Sequence, residues 1–350
     1  MAIPLRPNVA AMAGYVPGEQ PRDKGVIKLN ANENPYPPSP KVLAAIRRAI
    51  DGGLRFYPEA TSDGLRAAAS RVYGVGADHI IAGNGSDELL TMLMRCFVGE
   101  GDRVAYPMPT YSLYDILVDI QGGVRAPVEY GPDFAIPQSL AKQRAALTFL
   151  CNPNAPSGTL VQTADIARLA RAVRGVLVVD EAYIDFAAAR DCSSIGLIRR
   201  LPNVVVLRTF SKSFSLAGMR IGLAFASRPI IDGMMKVKDS YNLNRLSAEA
   251  ATAALRDLPW MRRNVRRIQE QRAVLTRALR EMGFDVYESH TNFVLARRPG
   301  TDVRAIQQAL KRRRILIRYF DVPGLDDCLR FTVGTPAETT ALITALQRLL

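Results

Sequence analysis

Histidine and cysteine are scarce in this sequence of 350 residues, and only a few of its basic residues are lysine. The histidines and cysteines are widely spaced, at His79, His290, Cys96, Cys151, Cys192 and Cys328. Zinc sites and disulfide frameworks need cysteine or histidine at close or regular spacing. We therefore expect no metal site and interpret the cysteines as free thiols.

Long apolar runs are also missing. No stretch approaches the roughly 18 consecutive apolar residues of a membrane-spanning helix. The first 23 residues contain four prolines and no sustained apolar run, which is not the pattern of a secretory signal. The sequence thus predicts a cytoplasmic protein with no membrane partner.

Positive charge is the extreme feature of the composition. The chain has 46 lysines and arginines against 33 acidic residues, a formal net charge of +13 at pH 7. Clustered basic residues can bind nucleic acid, but the clusters at 262–272 and 311–314 lie in helical patterns with periodic apolar positions. We interpret them as solvated helix faces and expect no nucleic-acid partner. The charge can also raise the local concentration of a small anion.

Short β-rich runs alternate with helical patterns between about residues 50 and 240. This alternation predicts βαβ units and a mostly parallel sheet. One helix is predicted at Lys41–Ile50 with Ser39 as its N-cap, and another begins at Thr163 and is closed by Gly175. The predicted strands are His79–Ala82, Arg103–Tyr106, Leu147–Cys151, Val176–Asp180, Val204–Arg208 and Ile221–Ala226.

The pattern changes after about residue 245. A long helix around Trp260–Met282 precedes short strands predicted at Phe284–Tyr287, Asn292–Ala296, Ile315–Arg318 and Cys328–Thr332. We expect a smaller α+β domain over 246–350 and a larger domain over 46–245. Residues 1–45 are expected to form an N-terminal arm that belongs to the small domain and to a dimer contact.

The carboxyl ends of strands are where open α/β sheets bind ligands. One such end, A-G-N-G-S-D-E-L-L, passes through glycines into a helix that starts near Ser86 and Asp87. Free N–H groups at a helix start can hold a phosphate, and an ordinary N-cap is the alternative. The segment fails as a dinucleotide motif because Glu88 occupies the third glycine position.

A second strand end, V-L-V-V-D-E-A-Y, carries Asp180, with Tyr183 three residues later. A carboxylate buried there needs a cationic partner. Two partners remain open, Mg²⁺ in a nucleotide-hydrolysing enzyme and a protonated ring nitrogen of a cofactor. The chain has no G-x-x-x-x-G-K-[ST] motif to support the nucleotide reading.

Two further strand ends present an amine and an aromatic ring. Lys212 lies in T-F-S-K-S-F-S, eight residues before Arg220, and Tyr111 ends Y-P-M-P-T-Y. A lysine desolvated beside another cation is suited to Schiff-base chemistry, although most single lysines of this kind are ordinary surface residues. A phosphate cradle, a stacking ring, an acid and an amine are together the groups that hold pyridoxal phosphate.

The ordered motifs D-E-A-Y, T-F-S-K-S-F-S-L-A-G-M-R-I-G and C-L-R-F-T-V-G-T give the chain its resemblance to known enzymes. It resembles the fold-type I aminotransferases of the aspartate aminotransferase superfamily, and more closely the histidinol-phosphate aminotransferases, from about Tyr15 to the C-terminus. The resemblance implies an α/β fold with a mostly parallel seven-stranded sheet flanked by helices, a smaller α+β domain, pyridoxal phosphate as cofactor, and a homodimer.

The resemblance also implies roles for matching residues. Lys212 would be the Schiff-base lysine, and Asp180 would pair with the pyridine nitrogen. The other cofactor positions are Tyr183 for the ring's phenolic oxygen, Tyr111 for stacking, Ser86, Asp87, Ser211 and Arg220 for the phosphate, and Tyr57 for the phosphate in the neighbouring subunit. The substrate positions are Arg330 for a carboxylate, and Arg318, Tyr15 and Asn32 in the pocket wall.

One segment departs from the family pattern. The family commonly has N-P-N-N-P-T-G where this chain has N-P-N-A-P-S-G at 152–158, so Ala155 replaces an asparagine that usually hydrogen-bonds the ring oxygen. Asn154 or Asn152 can take that role after a small backbone shift, or Tyr183 can act alone. The lost hydrogen bond is worth about 1 kcal/mol, which does not abolish function.

The implied reaction is transamination of histidinol phosphate with 2-oxoglutarate, which yields imidazole acetol phosphate and glutamate in histidine biosynthesis. Lys212 would move the substrate proton as general base and acid, while Arg318 and Arg330 provide two forks for different anions. An aromatic amino acid aminotransferase and a pyridoxal-phosphate-dependent threonine-phosphate decarboxylase are the alternatives.

Overall fold

The structure, a computed structural model, describes residues 3–14, 18–21, 23, 25–188 and 191–350. Its helices α1 to α11 are Pro7–Ala11, Pro40–Ala49, Asp63–Tyr73, Ser86–Phe97, Leu113–Gln121, Thr163–Ala172, Arg228–Val237, Arg245–Leu255, Leu258–Glu281, Val303–Arg312 and Pro336–Gln347. Its strands β1 to β13 are Ile27–Lys28, Ile80–Gly83, Arg103–Met108, Val124–Glu129, Leu147–Cys151, Val176–Asp180, Val204–Thr209, Gly222–Ala226, Asp285–Val286, Phe293–Arg297, Ile315–Leu316, Arg318–Tyr319 and Cys328–Thr332.

A seven-stranded sheet forms the centre of the larger unit, in the order β2-β8-β7-β6-β5-β3-β4. β8 runs antiparallel to β2 and β7, and the other neighbouring strands are parallel. β5 to β8 are buried along their whole length, because hydrophobic clusters cover both faces of this sheet. The predicted mostly parallel sheet is confirmed.

One strand of this sheet was missed from the sequence. β4 reads V-R-A-P-V-E, lies at the sheet edge and is mostly exposed or half-buried. Its polar residues and its proline hide the apolar pattern of a strand, and an edge strand tolerates both.

The helix boundaries follow local sequence signals in two cases and depart from them in a third. Ser39 caps α2 by accepting a hydrogen bond from the Lys41 N–H, as predicted. The long helix α9 ends just before Gly283, whose φ of 80° favours glycine. α6 begins at Thr163 but ends at Ala172, three residues before Gly175. Gly175 instead faces the backbone of residues 145–146, where a side chain would collide with carbonyl oxygens.

The smaller unit is built on a four-stranded antiparallel sheet in the order β12-β13-β10-β9. The strand predicted at Ile315–Arg318 is divided between two sheets. Its first part pairs in parallel with β1, with Ile27 opposite Ile315, and its second part pairs with β13. The N-terminal segment therefore contributes a strand to the unit formed by the C-terminal residues.

Hydrophobic clusters cover both faces of the large sheet, and a third fills the smaller unit. Val42 of α2 and Ala250 of α8 belong to a cluster of the large sheet, and these two helices pack against each other. The third cluster reaches Tyr183 and Phe186, just beyond the carboxyl end of β6. Within the described residues, we find no helix with the length and apolar character needed to cross a membrane.

Candidate active site

A cavity of about 320 Å³ opens at the carboxyl ends of the large sheet and extends to the smaller sheet. Its position agrees with the general location of ligand sites in open α/β sheets. Eleven of the residues predicted from the sequence line it, namely Asn32, Ser86, Asp87, Tyr111, Asp180, Tyr183, Ser211, Lys212, Arg220, Arg318 and Arg330. Some of these residues were predicted from strand ends, and Asn32, Ser211, Arg318 and Arg330 were predicted from the family resemblance; the cavity brings both groups together from distant parts of the chain.

Asp180 is the buried carboxylate of the cavity, with 3% of its surface exposed. It ends β6, where its Oδ1 accepts from the Ala182 N–H at 3.2 Å and its Oδ2 accepts from the Tyr114 hydroxyl at 3.1 Å. Burial raises the pKa of Asp180 from 3.8 to about 6, and the two hydrogen bonds oppose that rise. Within the described part of the chain, Asp180 forms no ion pair. A buried acid of this kind is suited to a cationic ligand group.

Lys212 is half-buried in the loop that follows β7. Its Nζ lies 5.6 Å from the centre of the Tyr183 ring. Its main-chain carbonyl accepts from the Asn34 side chain at 3.0 Å, and so does the Ser213 carbonyl, at 3.3 Å. The lysine amine thus faces the cavity from a loop whose backbone is held by the N-terminal segment.

The start of α4 is a candidate anion site. Gly85 is the N-cap of α4 and has a φ of 87°. A side chain at position 85 would come within 2.6 Å of the Arg220 guanidinium. Arg220 approaches Ser211 Oγ at 3.4 Å and Asp87 Oδ2 at 3.0 Å. The helix start offers free N–H groups and the positive end of its dipole beside the Arg220 side chain, which is the chemistry of a phosphate site.

Tyr183 is connected to the smaller sheet through Asn32. The Asn32 Nδ2 donates to the Tyr183 hydroxyl at 3.0 Å, and its Oδ1 accepts from Thr332 Oγ1 at 3.1 Å. Asn32 is 2% exposed, and its φ of 55° lies in the left-handed region. This side chain therefore fixes the phenol against β13. On the other side of the cavity, Tyr111 approaches Asp87 Oδ1 through its hydroxyl at 3.3 Å.

Two arginines form the wall contributed by the smaller sheet. Arg318 of β12 and Arg330 of β13 are opposite each other in the antiparallel pair. Phe320 contacts both, since their guanidinium carbons lie 5.7 and 5.4 Å from its ring centre. Arg330 also lies 5.1 Å from the Phe293 ring and donates to the Asn30 carbonyl at 3.1 Å. The aromatic contacts hold two planar cations side by side, an arrangement that suits anions with more than one oxygen.

Among the described residues, two predicted site residues do not line the cavity. Asn154 donates its amide to the Pro109 carbonyl at 3.1 Å and to Ser157 Oγ at 2.9 Å. Tyr57 is 80% exposed and stacks on Tyr241, with 4.4 Å between ring centres. Tyr15 lies outside the described residues.

The exchange at position 155 leaves an alanine on the cavity wall. Asn152 is not a ready substitute, because its side chain is bonded to the main chain of Val161 at 3.1 and 2.9 Å. The amide of Asn154 is directed to the loop as well. Of the three candidates for the ring-oxygen contact, only Tyr183 lines the cavity.

Sequence reasoning missed two residues that support the site. Tyr114, one helical turn after Tyr111, is fully buried and donates to Asp180. Burial raises its own pKa well above the usual value. Asn34 holds the Lys212 loop. The run N-A-N-E-N-P drew attention to the segment that contains Asn34. The contact of Asn34 with the Lys212 loop, however, depends on the tertiary fold.

The chemistry of the cavity fits pyridoxal phosphate. A buried carboxylate that has no ion-pair partner among the described residues suits a protonated ring nitrogen, the start of α4 suits a phosphate, and Lys212 suits an aldehyde. A metal is not needed to account for these groups, and in the described ranges no cluster of three or more potential metal-ligating side chains occurs.

Comparison with known proteins gives the family. The model of the family "Aminotransferase class I and II" matches residues 24–346. The chain is 44% identical over 348 residues to histidinol-phosphate aminotransferase 1 of Trichormus variabilis, covering 99% of each chain. It is 48% identical over 349 residues to histidinol-phosphate aminotransferase of Citrifermentans bemidjiense, again covering 99% of each.

Solved structures agree. The crystal structure of histidinol-phosphate aminotransferase from Sinorhizobium meliloti in complex with pyridoxal-5'-phosphate superposes with a TM-score of 0.85 at 30% identity, covering 93% of this chain and 92% of that chain. The predicted fold and the suspected resemblance are thereby confirmed. The chain belongs to the class I and II aminotransferase family and, within it, to the histidinol-phosphate aminotransferases.

Proposed function

We propose that this protein catalyses transamination between histidinol phosphate and 2-oxoglutarate with pyridoxal phosphate, a step of histidine biosynthesis. The observation that carries the proposal is one cavity that contains the amine of Lys212, the buried carboxylate of Asp180 and the paired guanidinium groups of Arg318 and Arg330. The names of the full-length relatives support the same reaction.

The cofactor is assigned to the large-sheet side of the cavity. Pyridoxal phosphate supplies an aldehyde that takes up the amino group and a ring that accepts electrons when the substrate loses its α-proton. Asp180 would keep the ring nitrogen protonated, because the charged pair offsets the cost of burying the carboxylate. Ser86, Ser211 and Arg220 would hold the phosphate, with the main-chain N–H groups at the start of α4.

The amine and the phenol have separate tasks in this proposal. Lys212 would act first as a general base, which removes the proton from the substrate α-carbon. It would then act as a general acid, which returns the proton to the cofactor carbon bonded to the transferred nitrogen. Tyr183 donates to the ring oxygen, oriented by the hydrogen bond from Asn32. Tyr111, which lines the cavity, would cover the ring. Asn154 stays a predicted cofactor contact that would need a change of side-chain direction.

Arg318 and Arg330 account for the use of two different substrates. Histidinol phosphate carries a phosphate and no carboxylate, whereas glutamate carries two carboxylates. Arg330 would bind the α-carboxylate of glutamate as a planar fork, and Arg318 would bind the distal anion of either substrate. A wall of two guanidinium groups around Phe320 accepts both anions without a change of residues.

We also propose a cytoplasmic homodimer. Tyr57 lies in an exposed apolar segment with Leu54 and Phe56, which are 48% and 62% exposed. Burial of that segment against a second copy would bring Tyr57 to the partner's cofactor phosphate. The four cysteines are free, which is typical of a reducing compartment. Sedimentation of the holoenzyme tests the dimer.

The test of the substrate is Arg318→Ala, with phenylalanine as the internal control because it has no distal anion. Loss of a charge-assisted hydrogen bond should lower kcat/KM for histidinol phosphate and for glutamate by about 1.5 to 3 kcal/mol, roughly 10- to 150-fold. Turnover of phenylalanine should change little.

Arg304→Ala is the matched control for the loss of an arginine from the same unit, since Arg304 pairs with Asp321 away from the cavity. It should leave all three rates near those of the parent. If Arg318→Ala lowers phenylalanine turnover as much as that of histidinol phosphate, the phosphate-binding role is wrong and an aromatic aminotransferase is the better description.

A further inference from the structure

A buried charge cluster lies behind the loop that carries Lys212, on the side away from the cavity. We propose that Asp185 and Ser213 are positioning residues, which hold this loop so that the Lys212 amine is directed at the cofactor. The inference rests on the proposed function only for the role of Lys212.

Arg208 is the cation of the cluster. It lies on β7, four residues before Lys212, and is 7% exposed. One guanidinium nitrogen approaches Glu181 Oε2 at 3.3 Å, and the other contacts Asp185 Oδ1. Two carboxylates therefore share one buried arginine.

The two carboxylates hold different parts of the chain. Glu181 accepts from Ser193 Oγ at 2.7 Å and from the Ser194 N–H. It therefore holds a segment that precedes β7 and does not line the cavity. Asp185 accepts from Ser213 Oγ at 2.5 Å. Through Asp185, the cluster therefore contacts Ser213, which follows Lys212 in the chain.

The peptide that links Lys212 and Ser213 is held from two directions. Asn34 of the N-terminal segment donates to the carbonyl oxygens of both residues. Asp185 accepts from the hydroxyl of Ser213, which is 1% exposed. With the backbone and the neighbouring side chain both fixed, the remaining freedom of Lys212 lies in its own side chain.

The placement of a reacting group is a reason for a protein to retain such a buried charge cluster. Buried ion pairs are expensive to desolvate, and apolar residues of similar volume often give equal or greater stability. A reacting group, in contrast, loses rate steeply when it is misplaced by about 1 Å. An arginine that fixes Asp185 also fixes the acceptor for Ser213, and through it the loop.

The test compares Ser213→Ala with Ser193→Ala in the holoenzyme. Each variant removes one hydroxyl that donates to a carboxylate paired with Arg208, Ser193 to Glu181 and Ser213 to Asp185, so a merely structural role predicts similar effects for both. The dissociation constant of pyridoxal phosphate, the rate at which borohydride fixes the cofactor on the protein, and the visible circular dichroism of bound cofactor are measured.

Positioning predicts that Ser213→Ala weakens cofactor binding by roughly tenfold, as expected for one charge-assisted hydrogen bond, and slows fixation by a similar factor. Ser193→Ala should stay within about twofold of the parent, since the Ser193 hydroxyl contacts Glu181 and not the loop that carries Lys212. The double variant Ser213→Ala/Asp185→Ala should be no weaker than Asp185→Ala alone, because both changes remove the same contact.

Equal effects of the two serine variants on all three measurements would overturn the inference. Additive effects in the double variant would do the same. If peptide mapping of the parent places the fixed cofactor on another lysine, the role of Lys212 in the proposed function fails first and the inference fails with it. Fixation on Lys212 together with equal serine variants would reject the positioning role alone.

Discussion

Asp180→Asn should stabilise the cofactor-free protein while it weakens the cofactor-bound protein. Raising the pKa of this carboxyl from 3.8 to about 6 corresponds to a cost of about 3 kcal/mol for burying its charged form. Because Asp180 is 3% exposed, solvent does not screen that cost. An asparagine has the same shape, can accept from the Ala182 N–H, and can donate to Tyr114, whose hydroxyl can turn.

The pH dependence has a definite sign. The folded state binds a proton at Asp180 more tightly than the unfolded state, so the cost is fully present above pH 6 and disappears as the pH falls to about 3.8. Denaturant unfolding of the cofactor-free proteins should therefore give the variant a free energy of unfolding that is higher than the parent's by up to about 3 kcal/mol at pH 8. At pH 4 the difference should be small.

Saturating pyridoxal phosphate should reverse the order at pH 8. A ligand stabilises the folded state in proportion to the logarithm of its concentration over its dissociation constant, and the amide offers no charge to the ring nitrogen. Tyr114→Phe is the control, since it removes a donor that lowers the pKa of Asp180 and should move the pH window upward. An advantage of the variant that is the same at pH 4 and pH 8 would show that the charge of Asp180 is not its source.

Three other substitutions test the remaining groups. Lys212→Ala should leave a folded protein on which borohydride fixes no cofactor, whereas label on Lys236 or Lys238 of the parent would contradict the assignment of the amine. Arg330→Lys keeps the charge but loses the planar fork held by aromatic rings, so kcat/KM for glutamate should fall by roughly tenfold or more in steady-state assays. Ala155→Asn should tighten pyridoxal phosphate binding by roughly fivefold, about 1 kcal/mol, in a fluorescence titration, and weaker binding would show that no room exists beside Tyr183.

The centre of the fold could be predicted because its strands carry a strong local signal. β5 and β6 have the predicted bounds, and both are wholly buried and mainly apolar. The edge strand β4 has no such signal, since only one of its residues is buried. The boundaries of the two domains at 45 and 245 stay a prediction. The contact of α2 with α8 indicates that the helices that cross these two boundaries pack in the core of the larger unit.

The residues of the candidate site also divide into those that a local pattern predicts and those whose contacts depend on the tertiary fold. Asp180 and Lys212 could be found because both follow a buried strand, and strand ends meet at one edge of a parallel sheet. The contacts of Tyr114, Asn34 and Asp185 depend on how distant segments approach each other, which no local pattern specifies. The direction of Asn154 was equally hidden, because it follows from hydrogen bonds to Pro109 and Ser157.

The pairing of β1 with β11 sets an order of events during synthesis. Ile27 emerges from the ribosome early, but its partner Ile315 is added about 290 residues later, which at typical translation speeds takes roughly 15 to 60 s. Through this interval the strand segment has no partner, while the strands of the large sheet can already pair. The wall that holds Arg318 and Arg330 therefore cannot form before synthesis has passed residue 330, and a chain stalled before residue 315 can have a cofactor-side cavity without a substrate side.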